Sequence, residues 1–489
     1  MSDDASLGPV ERLHPLFLIT GLGASLRRAG GAFAALGYFA VSGQWKLMAI
    51  VAPVLALTLV AGLFLYWRHF EFRVGASEIR IDHGLLTRTH RSIPFDRIQD
   101  VDITQPLLAR LFGLARVKFE TGGSAGGKDD DGVLQAVSLE RAQALRAQIR
   151  AQRGIAVEAP ASAAMEPPPI FAMDLRRVLL AGLLNFSLVV LAGLFGLSQT
   201  LGQIAGFDPL SRRFWLGLLA AGSPLLDLIL AHQLVAAFAG VAVLVLLGLV
   251  TGTVRTVLRE YGFRLDRSGI GLRRRRGLLT LTDVTLPIRR IQAAIVGSGP
   301  LRAAFGWRDL KLQSLARDET TKGDHIVAPL ADGAEVAAIL AELGWRPVEP
   351  ELHWGHVSPA YVWTFTFGMA VFVFPATIQF LFAPTLGIAA FAAIGILIAL
   401  RWLDWSRTRY ALDGDRLLVR RGWWRRRMVI LPLTSVQSVD LTENFISRRF
   451  GTASLLIGVA GGSGFSAHGV PALPRETARG LRAELLANF

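Results

Sequence analysis

The stretch Ile93–Gly113, IPFDRIQDVDITQPLLARLFG, decides the architecture, because its framework returns twice without a gap. The later copies are LPIRRIQAAIVGSGPLRAAFG at Leu286–Gly306 and LPLTSVQSVDLTENFISRRFG at Leu431–Gly451. Each has a proline after an aliphatic residue (Pro94, Pro287, Pro432) and a glutamine five residues on (Gln99, Gln292, Gln437). Each also has a Phe-Gly pair beginning eighteen residues after the proline: Phe112-Gly113, Phe305-Gly306 and Phe450-Gly451. Ten residues before each proline stands a glycine followed by two apolar residues, at Gly84, Gly277 and Gly422. Self-similarity at such long spacing marks a duplicated domain with something between the copies, not a solenoid repeat.

Composition says what lies between. The 489 residues are enough for about three domains. Just over half are apolar (52%), mean hydropathy is +0.42, and the apolar residues are gathered into runs. That is the pattern of an integral membrane protein. Cysteine is absent, which excludes disulfides, thiolate metal sites and a cysteine nucleophile. The net charge of +14 would suggest nucleic acid in a soluble chain; in a membrane protein it fits cytoplasmic retention of basic segments, and no nucleic-acid partner is expected.

Read in order, residues 1–67 hold an uncleaved N-terminus and two apolar runs, 29–42 and 47–67, the second long enough to cross about 30 Å of hydrocarbon. From 68 to 155 short alternating runs (FEFRV, EIRID, LTRTHRSIPF, QDVDITQ, ARVKFETGG, VLQAVSL) predict antiparallel strands, closed by an amphipathic helix over 138–153. Residues 156–174 read as a Pro-rich linker. The cycle then repeats: an apolar pair in 175–256 with a long connection over 202–231, strands and helix in 257–346, an apolar pair in 347–405, strands and helix in 406–489. An even number of crossings before each unit, with the Lys and Arg concentrated in those units, predicts all three domains and both termini on the cytoplasmic side of the cell inner membrane.

The repeated core, IPF-x-RIQ-x-V followed by LARLFGLARVKFETGG, resembles the bacterial pleckstrin-homology-like membrane proteins of the YdbT type. The resemblance spans nearly the whole chain. It implies a membrane protein of α+β class, with three transmembrane hairpins alternating with three PH-like, seven-stranded, partly open barrels, each closed by a C-terminal helix. The copies differ: Ala293-Ala294 stand where the first has Asp100-Val101, and Ser435 replaces the Arg97 position. The resemblance carries no catalytic residue, and no cofactor or metal is expected.

Several motifs have bland counterparts. Gly122–Asp129 nearly spells a phosphate loop, but Asp129 stands where a hydroxyl is required, and an acidic hairpin loop fits better. Glu351, His353 and His356 make only a partial metal site, and Trp354 and Pro359 beside them fit an interfacial anchor. Asp227 lies in the apolar connection, where a neighbouring Ser-Pro favours surface exposure. The basic clusters stand out: Arg273, Arg274, Arg275 and Arg276 in the second copy, and Arg420, Arg421, Arg425, Arg426 and Arg427 in the third, interleaved with Trp423-Trp424. Each such charge near an anionic leaflet contributes on the order of 1 kcal/mol. Two readings stand, headgroup binding and a solvated basic face; the first copy has only Arg88, His90 and Arg91 there.

These observations predict a non-enzymatic membrane protein. Its PH-like domains bind anionic lipid headgroups, an unidentified membrane or cytoplasmic protein, or both, within an envelope or export and resistance assembly, and homo- or hetero-oligomers are open. A transporter or channel subunit is the alternative, opposed by the scarcity of ionisable groups in the apolar runs.

Overall fold

The computed structural model describes residues 7–22, 25, 29, 31–32, 36–37, 39, 42–84, 89–121, 132–152, 168–185, 216–217, 232–315, 323–349, 351–460 and 468–487. These divide into two compact units, residues 1–264 with 273–285, and residues 265–272 with 286–489.

In the first unit a strand β1 (Leu7–Arg12) precedes the long apolar helix α1 (Trp45–His69), and β2 (Glu71–Gly75), β3 (Glu78–His83) and β4 (Thr89–Pro94) follow it. They form one antiparallel sheet in the order β1-β2-β3-β4, with Val10 opposite Arg73. The strand before the membrane segment therefore belongs to the first repeat, which the sequence reading placed wholly after residue 67. Next come β5 (Ile98–Gln105), the short helix α2 (Leu107–Leu111), β6 (Leu114–Thr121), β7 (Val133–Ser138) and helix α3 (Leu139–Gln152). Ser138 Oγ accepts from the Arg141 amide as the N-cap of α3. Its apolar stripe, Ala142, Leu145 and Ile149, is buried in the core with Phe70, Phe72, Ile79, Ile98 and Leu134.

The second repeat supplies β8 (Phe171–Ala172), α4 (Leu175–Leu183), capped by Asp174, and α5 (Gln233–Glu260). Then follow β9 (Arg264–Ser268), β10 (Gly271–Arg276), β11 (Leu281–Pro287), β12 (Ile291–Ser298), α6 (Pro300–Ala304), β13 (Arg308–Ser314), β14 (Asp324–Ala331) and α7 (Gly333–Glu342). The third has β15 (Gly355–His356), α8 (Ala360–Phe382), α9 (Pro384–Arg407), β16 (Arg409–Asp413), β17 (Arg416–Arg421), β18 (Arg426–Pro432), β19 (Val436–Thr442), α10 (Phe445–Arg449), β20 (Thr452–Val459), β21 (His468–Pro474) and α11 (Arg475–Leu486).

Four described helices, α1, 238–260 within α5, α8 and α9, are long and apolar enough to cross a membrane. They expose the residues a soluble helix would bury, such as Leu57, Phe238, Phe374 and Phe382. The expected partners of α1 and α5 lie largely outside the described residues. α8 and α9 pack closely, since a Cβ on Gly387 would stand 2.2 Å from the Phe380 Cα.

No closed barrel forms among the described residues; the expected barrels are replaced by sheets that run from one repeat into the next. In the first unit β5 pairs antiparallel with β11, Ile103 opposite Asp283. In the second, β14-β13-β12-β18-β17-β16-β15 is one continuous seven-stranded sheet, with Val296 opposite Met428. The last three strands form a separate sheet, β19-β20-β21.

The sequence landmarks now have physical reasons. Gly84, Gly277 and Gly422 adopt φ of 109°, 117° and 90° at turns where a side chain would be strained. The glutamines mark a β-bulge: register shifts across Ile98/Asp100, Ile291/Ala293 and Val436/Ser438, one residue each, at Gln99, Gln292 and Gln437. Pro94, Pro287 and Pro432 end their strands, where a missing N–H costs no ladder bond. Phe112, Phe305 and Phe450 end the three short helices, and each following glycine (Gly113, Gly306, Gly451) turns left-handed, at φ 65°, 76° and 64°.

Candidate functional site

The two arginine clusters separate on structural grounds. In β10 alternate side chains face opposite ways, and three of the four arginines are committed. Arg274 and Arg276 are buried, and Arg276 Nη1 donates to both oxygens of Glu260 (2.8 and 2.9 Å) at the end of α5. Arg273 donates to both oxygens of Asp283 (2.9 and 2.5 Å). Only Arg275 is exposed. Arg273, Arg274 and Arg276 are therefore held within the fold and not on the headgroup face expected of them, because a buried or doubly bonded guanidinium has no freedom to meet a lipid.

Arg273 belongs to a network where the first repeat meets β11. Arg146, from α3, reaches Asp283 at 3.2 Å, and Arg150 donates to Thr285 (3.1 Å) and lies 3.7 Å from Asp100. Burial would raise the Asp283 pKa, but the hydrogen bond from Arg273 and the charge of Arg146 hold the carboxyl well below the usual carboxylate range.

In the third repeat Arg420, Arg421, Arg425, Arg426 and Arg427 are all exposed. Strand pairing sets Arg409 directly opposite Arg420, and Arg421 opposite Arg427. Like charges so placed are destabilising. Arg308 from β13 and Arg407 from the end of α9 join Arg409, Arg420, Arg421, Arg426 and Arg427 around a cavity of about 490 Å³ whose described lining includes these seven arginines and no carboxylate. The Arg420 guanidinium lies 3.7 Å from the Trp354 ring. Partial burial, then repulsion from Arg409 and Arg308, pulls its pKa below the ordinary arginine value.

Beyond the turn at Gly422, which lines this cavity too, a second hollow of about 360 Å³ has a different lining. Phe365, Leu397 and Leu400 from the membrane helices meet Trp423, Trp424 and Arg425 there. The two indoles pack edge to face at 5.5 Å, and Trp424 is 60% exposed. On the helix side Arg401 stacks on Tyr361 at 3.5 Å, and Tyr361 donates to Asp404 (2.6 Å). Cationic and apolar surfaces thus meet at the end of the last apolar helix.

The first repeat lacks this chemistry. The positions of Arg420 and Arg409 are taken by Asp82 and Glu71, and Asp82 is paired with His90 (2.7 Å) and Arg80 (3.5 Å). Arg88, Asp227 and the Gly122–Asp129 loop lie outside the described residues. Glu351, His353 and His356 do not converge, and no group of three metal-ligating side chains occurs among the described residues. Sequence reasoning missed Arg308, Arg407 and Arg409, which come from three other elements; the Arg-x-Arg at the end of the last apolar run was the available signal.

Comparison with known proteins agrees with the repeat. The Bacterial PH domain family matches residues 18–153, 215–344 and 369–489. The UPF0699 transmembrane protein YdbT of Bacillus subtilis is 23% identical over 425 residues, covering 82% of each chain. No solved structure matches.

Proposed function

The chain belongs to the bacterial PH domain family, and from that premise we propose that it is a non-enzymatic inner-membrane protein whose third repeat binds an anionic lipid headgroup at the cytoplasmic leaflet. In this reading the apolar helices form three hairpins that hold the repeats against the membrane, each repeat being an opened form of the PH-like barrel. The carrying observation is the cavity of seven arginines without a carboxylate, with two Arg–Arg pairs directly opposed across strands. Such an arrangement is unfavourable when empty and is relieved by a bound anion. In the neighbouring hollow Phe365, Leu397, Leu400 and Trp424 give an apolar wall for the acyl chains, with Arg401, Asp404 and Arg425 on the rest of its lining.

The test uses purified full-length protein titrated with short-chain phosphatidylglycerol or phosphatidylcholine, read by the change in intrinsic tryptophan fluorescence, to which Trp307, Trp354, Trp423 and Trp424 beside the two hollows contribute. Tighter binding of the anionic lipid is expected. The triple variant R420Q/R426Q/R427Q should lose about 3 kcal/mol, on the order of 100-fold in affinity. Equal binding of the two lipids, or an unaffected triple variant, refutes the proposal.

A further inference from the structure

The two junctions between repeats obey one register. At each, the residue nine after a repeat's landmark proline pairs with the residue four before the next repeat's proline: Ile103 with Asp283, and Val296 with Met428. A strand of the β5 type always meets one of the β11 type. Two strands of these types remain at sheet edges among the described residues: β19, the third repeat's counterpart of β5 and β12, and β4, the first repeat's counterpart of β11 and β18. An open edge is a template for pairing with another chain.

We infer that two copies of this chain associate head to tail, β19 of one adding to β4 of the other and extending the β21-β20-β19 sheet into β4-β3-β2-β1. The register carries over without adjustment. Leu441 falls opposite His90 of the second copy, Thr442 opposite its Thr89, and Asp440 opposite its Arg91, a complementary charge pair. Neither strand has an interior proline to block the ladder.

Two independent details support this. At the first junction Asp102 is buried, at 5% exposure, whereas its counterpart Asp440 is exposed, as a residue awaiting its neighbour would be. The closing helices also differ in what one arginine does. Ala142, Leu145, Arg146 and Ile149 of α3 correspond to Ala478, Leu481, Arg482 and Leu485 of α11. Arg146 bridges to Asp283 on the incoming strand, while Arg482 donates to the carbonyl of Val439, on the edge strand itself (3.2 Å).

Because the chain has no cysteine, disulfide trapping is free of background. Differently tagged L441C and H90C chains are co-expressed in membranes and oxidised. A hetero-disulfide between the two tags is expected, and none between H90C and L456C, whose residue sits one strand further in on β20. D440R should abolish the L441C–H90C link, and R91D in the other chain should restore it. Light scattering of the wild-type protein in detergent should give a mass of at least two chains. A single-chain mass, trapping no better than with L456C, or a link that forms only within one chain overturns the inference.

Discussion

Replacing Asp283 by Asn tests whether the first junction depends on its buried charge. In the native structure one carboxylate faces two guanidiniums, Arg146 at 3.2 Å and Arg273 at 2.5 Å, with 14% of the Asp283 side chain and 8% of the Arg146 side chain exposed. The amide removes the negative charge that those two cations share and puts an NH2 donor where one of the accepting oxygens stood. Truncating one member of such a buried set costs about 3–5 kcal/mol, because the remaining charges are left uncompensated. The surface pair Arg479–Glu476, with side chains 62% and 85% exposed, is the control; E476Q should cost about 0–1 kcal/mol. Thermal unfolding of the full chain in detergent, followed by tryptophan fluorescence, compares the two. Hydrogen exchange locates the loss: amides at Ile103, Thr104 and Gln105, opposite β11, should exchange faster in D283N. If D283N melts like E476Q with unchanged exchange there, the network does not hold the junction.

Further outcomes follow from single residues. Gly422, at φ 90° with its Cβ position 2.0 Å from the Arg425 carbonyl oxygen, should not accept a side chain. G422A is expected to destabilise by about 1–3 kcal/mol and to weaken anionic lipid binding, whereas G368A, in open space on α8, leaves both unchanged. G387L should force α8 and α9 apart and lower the melting temperature in detergent; an unchanged melt would mean that the helices do not pack there. His468 is buried against Gln313 (2.6 Å), and burial holds its imidazole below the ordinary range. The unfolded chain then takes up that proton first as pH falls. Stability is full above an unfolded pKa of about 6.5 and declines below it. H468Q should flatten that decline in melts run from pH 8 to pH 5, and an identical decline removes His468 as its source.

Much of the fold was legible because its signals are local. Alternation gave β2, β3 and β6, and the stripe Ala142–Leu145–Ile149 gave α3. The strands ahead of the membrane helices were not legible: Leu7–Arg12 carries Pro9 and no alternation, while Phe171–Ala172 and Gly355–His356 are two residues long. Nor was the sheet continuity, since pairing between β12 and β18 is set by long-range register and leaves no local pattern. Arg273–Arg276 was misread for a more avoidable reason. Four consecutive residues of one strand cannot share a face, so two had to point inward: Arg274 and Arg276 are buried, Arg276 against Glu260, while Arg273 on the other face is held by Asp283. In the third cluster Arg420–Arg421 and Arg425–Arg427 straddle a turn, where strand ends and loop leave all five in solvent.

The pairing of β1 with β2, and of β15 with β16, changes what the membrane segments are. They are insertions between the first two strands of a repeat's sheet, not linkers between finished domains. This explains how both described junctions keep one register although the landmark prolines are unequally spaced along the chain: the insertion varies while the sheet it leaves and re-enters does not. It also places the arginine cavity where the insertion ends. Arg407 closes α9, Arg409 opens β16, and both face Arg426 and Arg427 on the strand joined to β12. An anion held there would touch the last apolar helix and the sheet shared by two repeats at once.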